Sequence, residues 1–73
     1  MSQTIHINRE PVELYKILKF EGLVATGGEA KMVIAEGLVS LNGQIDTQKR
    51  KKIVNGDQIE FNQNVFSIVL ENS

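Results

Sequence analysis

At Gly37 the hydrophobic period of this chain changes, and that change constrains the fold more than any other feature. Before it, apolar residues recur at helical spacing: Leu14, Ile17 and Leu18, then Ala30, Val33 and Ile34. After it they alternate with polar ones, as Ile59 and Phe61 do between Gln58, Glu60 and Asn62. The first pattern lines one stripe of a helix, the second one face of a strand. Helices first and strands second predict an α+β fold, a two-helix pair packed on a small antiparallel sheet.

Local signals place the elements. Pro11 suits the first turn of a helix, where its missing N–H is harmless, and Gly22 suits a C-terminal cap. Helix one is therefore expected from about Pro11 to Glu21. Thr26 followed by Glu29 forms a capping box, in which the hydroxyl accepts from a backbone N–H and the glutamate reaches back. Helix two then runs on to Gly37. The few residues between the helices make them a helix-turn-helix-like pair.

Ile5-His6-Ile7 suits a short edge strand. Asn42-Gly43 reads as the type I′ turn of a hairpin joining Val39-Ser40-Leu41 to Gln44-Ile45. A strict two-residue turn pairs Ile45 with Ser40, off the face of Val39 and Leu41, so a bulge or a partly buried second face is expected. Asp46 to Lys52 should be an exposed loop or a fraying strand, and Asn55-Gly56-Asp57 a turn. A last strand is expected from about Val65 to Leu70, after a Gln63-Asn64 turn.

The chain has 73 residues and is expected to be one domain, 1–73. So short a chain buries only ~60% of the surface that it exposes unfolded. With no cysteine, neither disulfides nor a thiolate metal site supply stability, so the core rests on the 41% of hydrophobic residues. No run nears the ~20 apolar residues of a membrane span, and the first residues lack a secretory pattern. A cytoplasmic monomer without a cofactor is expected.

A net charge of −1 weighs, as a sum, against a nucleic-acid partner. The distribution says otherwise. Of eight basic residues, four stand together at Lys49, Arg50, Lys51 and Lys52, while the nine acids are scattered. Such a cluster releases counterions when it neutralises phosphates, which gives affinity independent of sequence. A solvated loop that keeps the protein soluble is the plainer explanation.

A second candidate lies at Thr26-Gly27-Gly28. A helix N-terminus presents unpaired N–H groups and about half a positive charge, enough to hold a phosphate. Glycines there let a backbone approach, at a cost of up to ~1 kcal/mol each in helix propensity. A simple cap followed by a tight inter-helix turn would use the same residues, and Glu29 sets negative charge nearby. Lys31, one turn into helix two, reaches the same surface or is an ordinary exposed lysine.

Phe20, Phe61 and Phe66 occupy apolar-patterned positions and are expected in the core, leaving Tyr15 as the one exposed ring. With so little to stack bases on, recognition by shape and backbone is favoured, and structured RNA over single strands. Enzyme signals are missing. Gly22 and Gly27 have P-loop spacing, but Gly28 and Glu29 stand where lysine and Ser/Thr are required. His6 is the sole histidine and is expected on the exposed face of its strand. The rival to RNA binding is a protein-interaction module, its basic loop docked on an acidic or ribosome-associated partner.

The order of these features resembles a known family. Two helices, a small-residue turn opening the second, then Glu36 to Gly43 and later Gly56-Asp57-Gln58-Ile59 look like the alpha-L RNA-binding domain, the fold first associated with ribosomal small-subunit protein four. The likeness covers about Pro11 to Phe61. Thr26-Gly27-Gly28-Glu29-Ala30-Lys31, with the basic string, resembles the stand-alone bacterial members of the YbcJ type. The resemblance implies a non-catalytic module that binds structured RNA, ribosomal or transfer RNA in kind, and leaves ribosome association open. It implicates Thr26, Gly27, Gly28, Lys31, Lys49, Arg50, Lys51 and Lys52. Two positions depart from the pattern: Gly27 and Glu13 stand where the family often has arginine, which implies lower affinity or a different RNA surface.

Overall fold

The computed structural model describes residues 2–71. In chain order it holds β1 (Ser2–Ile7), β2 (Val12–Glu13), α1 (Leu14–Phe20), α2 (Gly27–Ala35), β3 (Val39–Leu41), β4 (Gln44–Ile45), β5 (Lys52–Ile53), β6 (Gln58–Phe61) and β7 (Asn64–Leu70). Five strands form one sheet in the order β1-β7-β6-β3-β4, and β2 and β5 form a separate two-stranded ribbon. The α+β class holds, but the sheet is mixed. Its first pair, β1 with β7, is parallel, and the other three pairs are antiparallel.

The core lies between the helices and the sheet. Leu14 and Leu18 of α1, Ile34 of α2, and Val39, Ile59 and Ile68 of the sheet are buried. So is Ile53 of the ribbon, which links β5 to the same core. Alternation in the strands sends Ile5, Ile7, Phe66 and Ile68 inward, as a sheet with one covered face requires.

Both helices end as the glycines imply. Gly22 and Gly37 have φ of 72° and 77°, the left-handed region open to a residue without Cβ. The N–H of Leu23 donates to the Leu18 carbonyl and that of Leu38 to the Val33 carbonyl, closing each last turn in a Schellman motif.

The beginning of helix one differs from expectation. Pro11 does not open a helix; Val12 and Glu13 lie extended as β2, paired with Ile53 and Lys52, and the helix starts only at Leu14. An antiparallel partner 40 residues further along the chain outweighed the local preference of proline for a first helical turn. The basic segment is a loop as far as Lys51, and Lys52 joins the ribbon.

The hairpin keeps its strict turn. Asn42 has φ 52°, Leu41 pairs with Gln44, and Ser40 pairs with Ile45. Neither the expected bulge nor a buried second face is present: Ile45 points out and is 67% exposed. The Asn42 side chain holds this turn onto β6, since its Oδ1 accepts from the Gln58 N–H at 2.8 Å and its Nδ2 donates to Asp57 at 3.2 Å. The last turn falls on Asn62-Gln63, one residue before the expected position; both have positive φ, and β7 begins at Asn64.

Candidate nucleic-acid interface

The start of α2 is built as its sequence dictates. Thr26 is extended at the N-cap, and its Oγ1 accepts from the Glu29 N–H at 3.1 Å. Glu29 reaches back one residue further than the simplest capping box, accepting from the Ala25 N–H at 2.7 Å. The Ala30 N–H donates to the Thr26 carbonyl. Two amides remain. Among the described residues, the N–H groups of Gly27 and Gly28 meet no acceptor.

The fold does not require glycine at either place. Neither residue has positive φ. A Cβ on Gly27 would lie 3.8 Å from Cδ of Lys19, and one on Gly28 would lie 3.8 Å from Oγ1 of Thr26, both ordinary contacts. A tight inter-helix turn therefore does not explain the pair. What the missing side chains leave is an open approach to two unpaired amides at the positive end of a helix.

The basic loop is held by hydrogen bonds of its own and by bonds to α1. Asp46 Oδ1 accepts from the Gln48 N–H at 2.8 Å, and the Lys51 N–H donates to the Gln48 carbonyl at 3.1 Å. The loop turns two of its own carbonyls toward α1: Lys51 accepts from the Leu14 N–H at 2.9 Å and Lys49 from the Tyr15 N–H at 3.1 Å. This is why Glu13, at the N-cap of α1, needs no side-chain cap bond.

Side chains connect the loop to α2 across α1. Arg50 Nε lies 3.8 Å from one oxygen of Glu13, and Lys16 Nζ lies 3.1 Å from the other. Lys16 also stands 5.9 Å from the centre of the Tyr15 ring, and Lys31 of α2 lies 4.8 Å from it. Tyr15 is thus a half-buried ring flanked by cations from both helices, within cation–π range. At the far end of α1, Cδ of Lys19 lies 3.8 Å from the place a Cβ on Gly27 would take. A run of cations therefore extends from Arg50 through Lys16 and Lys31 to Lys19.

The family model of the S4 domain matches residues 5–69. The chain belongs to that family. A protein named YbcJ from Escherichia coli (strain K12) is 44% identical over 59 residues, which span 80% of this chain and 84% of that protein. From Bacillus subtilis (strain 168), a protein named "Probable ribosome maturation protein RlbA" is 32% identical over 60 residues, 82% of this chain and 84% of its own. The solution structure of YbcJ from E. coli, described as revealing an alfaL motif involved in RNA-binding, superposes with a TM-score of 0.69 at 40% identity. That likeness covers 90% of this chain and 85% of the other.

In this S4 domain the expected site residues fall into two groups. Thr26, Gly27, Gly28 and Lys31 lie at the cap and first turns of α2, and Arg50 is linked to them through Glu13 and α1, whereas Lys49 meets α1 by its backbone carbonyl. Lys51 and Lys52 diverge, lining a groove of the β3–β4 hairpin beside Asp46 and Asp57. Sequence reasoning missed Lys16 and Lys19, although their i, i+3 spacing on the polar side of helix one was the available signal. It also placed Phe20 in the core. Phe20 lies outside the Leu14, Ile17, Leu18 stripe and is 69% exposed. Tyr15, expected to be exposed, packs partly against the core instead.

Proposed function

We propose that this S4 domain is a non-catalytic, cytoplasmic module that binds structured RNA by shape and phosphate backbone. The observation that supports the reading is the contact series from Arg50 through Glu13, Lys16 and Tyr15 to Lys31, which links one loop cation to a lysine one turn into α2. Phosphates rest on the amides of Gly27 and Gly28 and on Lys19, Lys31, Lys16, Lys49 and Arg50. Lys51 and Lys52 add charge from the flank, where Asp46 and Asp57 offset it. Thr26 orients the amides by capping the helix, and its hydroxyl proton is available to a phosphate oxygen.

Glu13 has a role here that composition alone would miss. It holds Lys16 and Arg50 at fixed positions while neutralising part of their charge, so a phosphate competes with a carboxylate already in place. Modest affinity and a preference for closely matched RNA shapes follow. Ribosomal RNA is the first class to test, given the name carried by the B. subtilis relative, and transfer RNA the second.

Titration of a labelled ribosomal RNA hairpin across a salt series tests the reading. Contact through four or five cations gives a log–log slope of roughly −3 to −5. A flat salt dependence, or capture only of acidic protein, would move the assignment to the protein-interaction module. Duplex DNA as competitor measures how far backbone grip alone discriminates between nucleic acids.

A further inference from the structure

Beside this surface, a groove of about 360 Å³ opens between α1 and the chain leaving β1. Its floor is apolar, with Ile5, Ile7 and Ile17 all buried. Phe20 forms one wall and is the most exposed of the large apolar side chains among the described residues, at 69%. Packing does not account for an aromatic residue that leaves most of its surface in water. Lys19 links this wall to the start of α2. Its ammonium lies 5.9 Å from the centre of the Phe20 ring, while its Cδ lies 3.8 Å from the place a Cβ on Gly27 would take.

We propose that the groove takes one unpaired nucleobase of the bound RNA, stacked on Phe20, while the adjoining phosphate rests on Lys19 and the open amides of α2. This rests on the RNA-binding reading and adds a ligand class to it: helical RNA that carries an unpaired nucleotide. Charge decides which part of the nucleotide enters. Glu21 and Glu71 line the groove and repel a phosphate, whereas a base is uncharged and has an apolar face. The rim offers both kinds of hydrogen-bonding group that a base edge needs. Arg9 donates and Glu21 accepts, and His6 stands 2.7 Å from the Glu71 carboxylate. An amphipathic peptide would also suit an aromatic wall, but continuity with the cation run through Lys19 favours RNA.

The test compares three RNA hairpins: fully paired, with one unpaired adenosine, and with an abasic residue in its place. Affinities are measured at one salt concentration for the wild type, Phe20→Ala and Phe20→Leu. Because Phe20 is largely exposed, both variants are expected to fold. The wild type should bind the adenosine bulge about ten-fold tighter than the paired hairpin, with the abasic hairpin near the paired one. Both variants should lose that preference and keep wild-type affinity for the paired hairpin, since leucine preserves apolar contact but has no π-face. Equal binding of the bulged and abasic hairpins, or a preference that survives Phe20→Ala, overturns the stacking site and leaves the RNA reading intact. Failure of the wild type to bind any hairpin overturns both.

Discussion

At the start of α1 the amides of Leu14 and Tyr15 donate to the carbonyls of Lys51 and Lys49, at 2.9 and 3.1 Å; at the start of α2 the amides of Gly27 and Gly28 meet no acceptor among the described residues. Both helix ends carry a similar partial positive charge. What separates them is where their N–H groups go. The chain spends one end on its own architecture and leaves the other open. The basic loop meets α1 in two ways, with carbonyls turned inward to close its start and the Arg50 side chain beside Glu13, which also holds Lys16. Backbone and side chain in that loop therefore have separable consequences.

The largest effect should come from removing what holds α2 in place. Ile34 is fully buried beneath it, and Ile34→Ala should cost ~2–4 kcal/mol in urea denaturation, a large share of the stability of so small a domain. A loss below ~0.5 kcal/mol would mean that α2 is not anchored by its buried stripe, and the contrast between the helix ends would lose its footing. Next, Gly28→Asp puts a carboxylate at the open end. RNA affinity should fall about ten-fold, because like charges are brought together where a phosphate would sit. Stability should hold or rise slightly, because an acid in the first turn of a helix is favourable. Unchanged RNA affinity would remove α2 from the site.

The smallest structural effect is expected at Arg50, whose side chain is 71% exposed. Arg50→Ala should leave Tm nearly unchanged and weaken RNA binding a few-fold, since exposed ion pairs contribute little to folding while each phosphate contact adds to affinity. A marked drop in Tm would show that the side chain, and not only the loop backbone, supports α1.

Much of this was legible because the deciding interactions are local. Thr26 and Glu29 are three residues apart, Asn42-Gly43 needs only its own backbone preferences, and Gly22 and Gly37 stop helices by local geometry. The misread positions depend on distant partners. Val12 and Glu13 are strand because of Ile53 and Lys52, and β1 turns the sheet mixed by pairing with the last strand. Ile45 follows the register of its turn outward even though its side chain is apolar. For the site, the cluster Lys49 to Lys52 was visible as a string. Its division was not: the course of the loop into β5 brings Lys51 and Lys52 to the groove beside the hairpin and Arg50 to Glu13. Nor could spacing alone bring Lys16 and Lys31 to one tyrosine, since that depends on how the two helices cross.

Amide chemical shifts of isotopically labelled protein, recorded while a paired RNA hairpin is added, test the central claim most directly. The Gly27 and Gly28 resonances should move together with those of Lys31, Lys49 and Arg50, while the Leu14 amide, already bonded to the loop, should move much less. If the hairpin binds and Gly27 and Gly28 stay where they were, the open end of α2 is not the phosphate site.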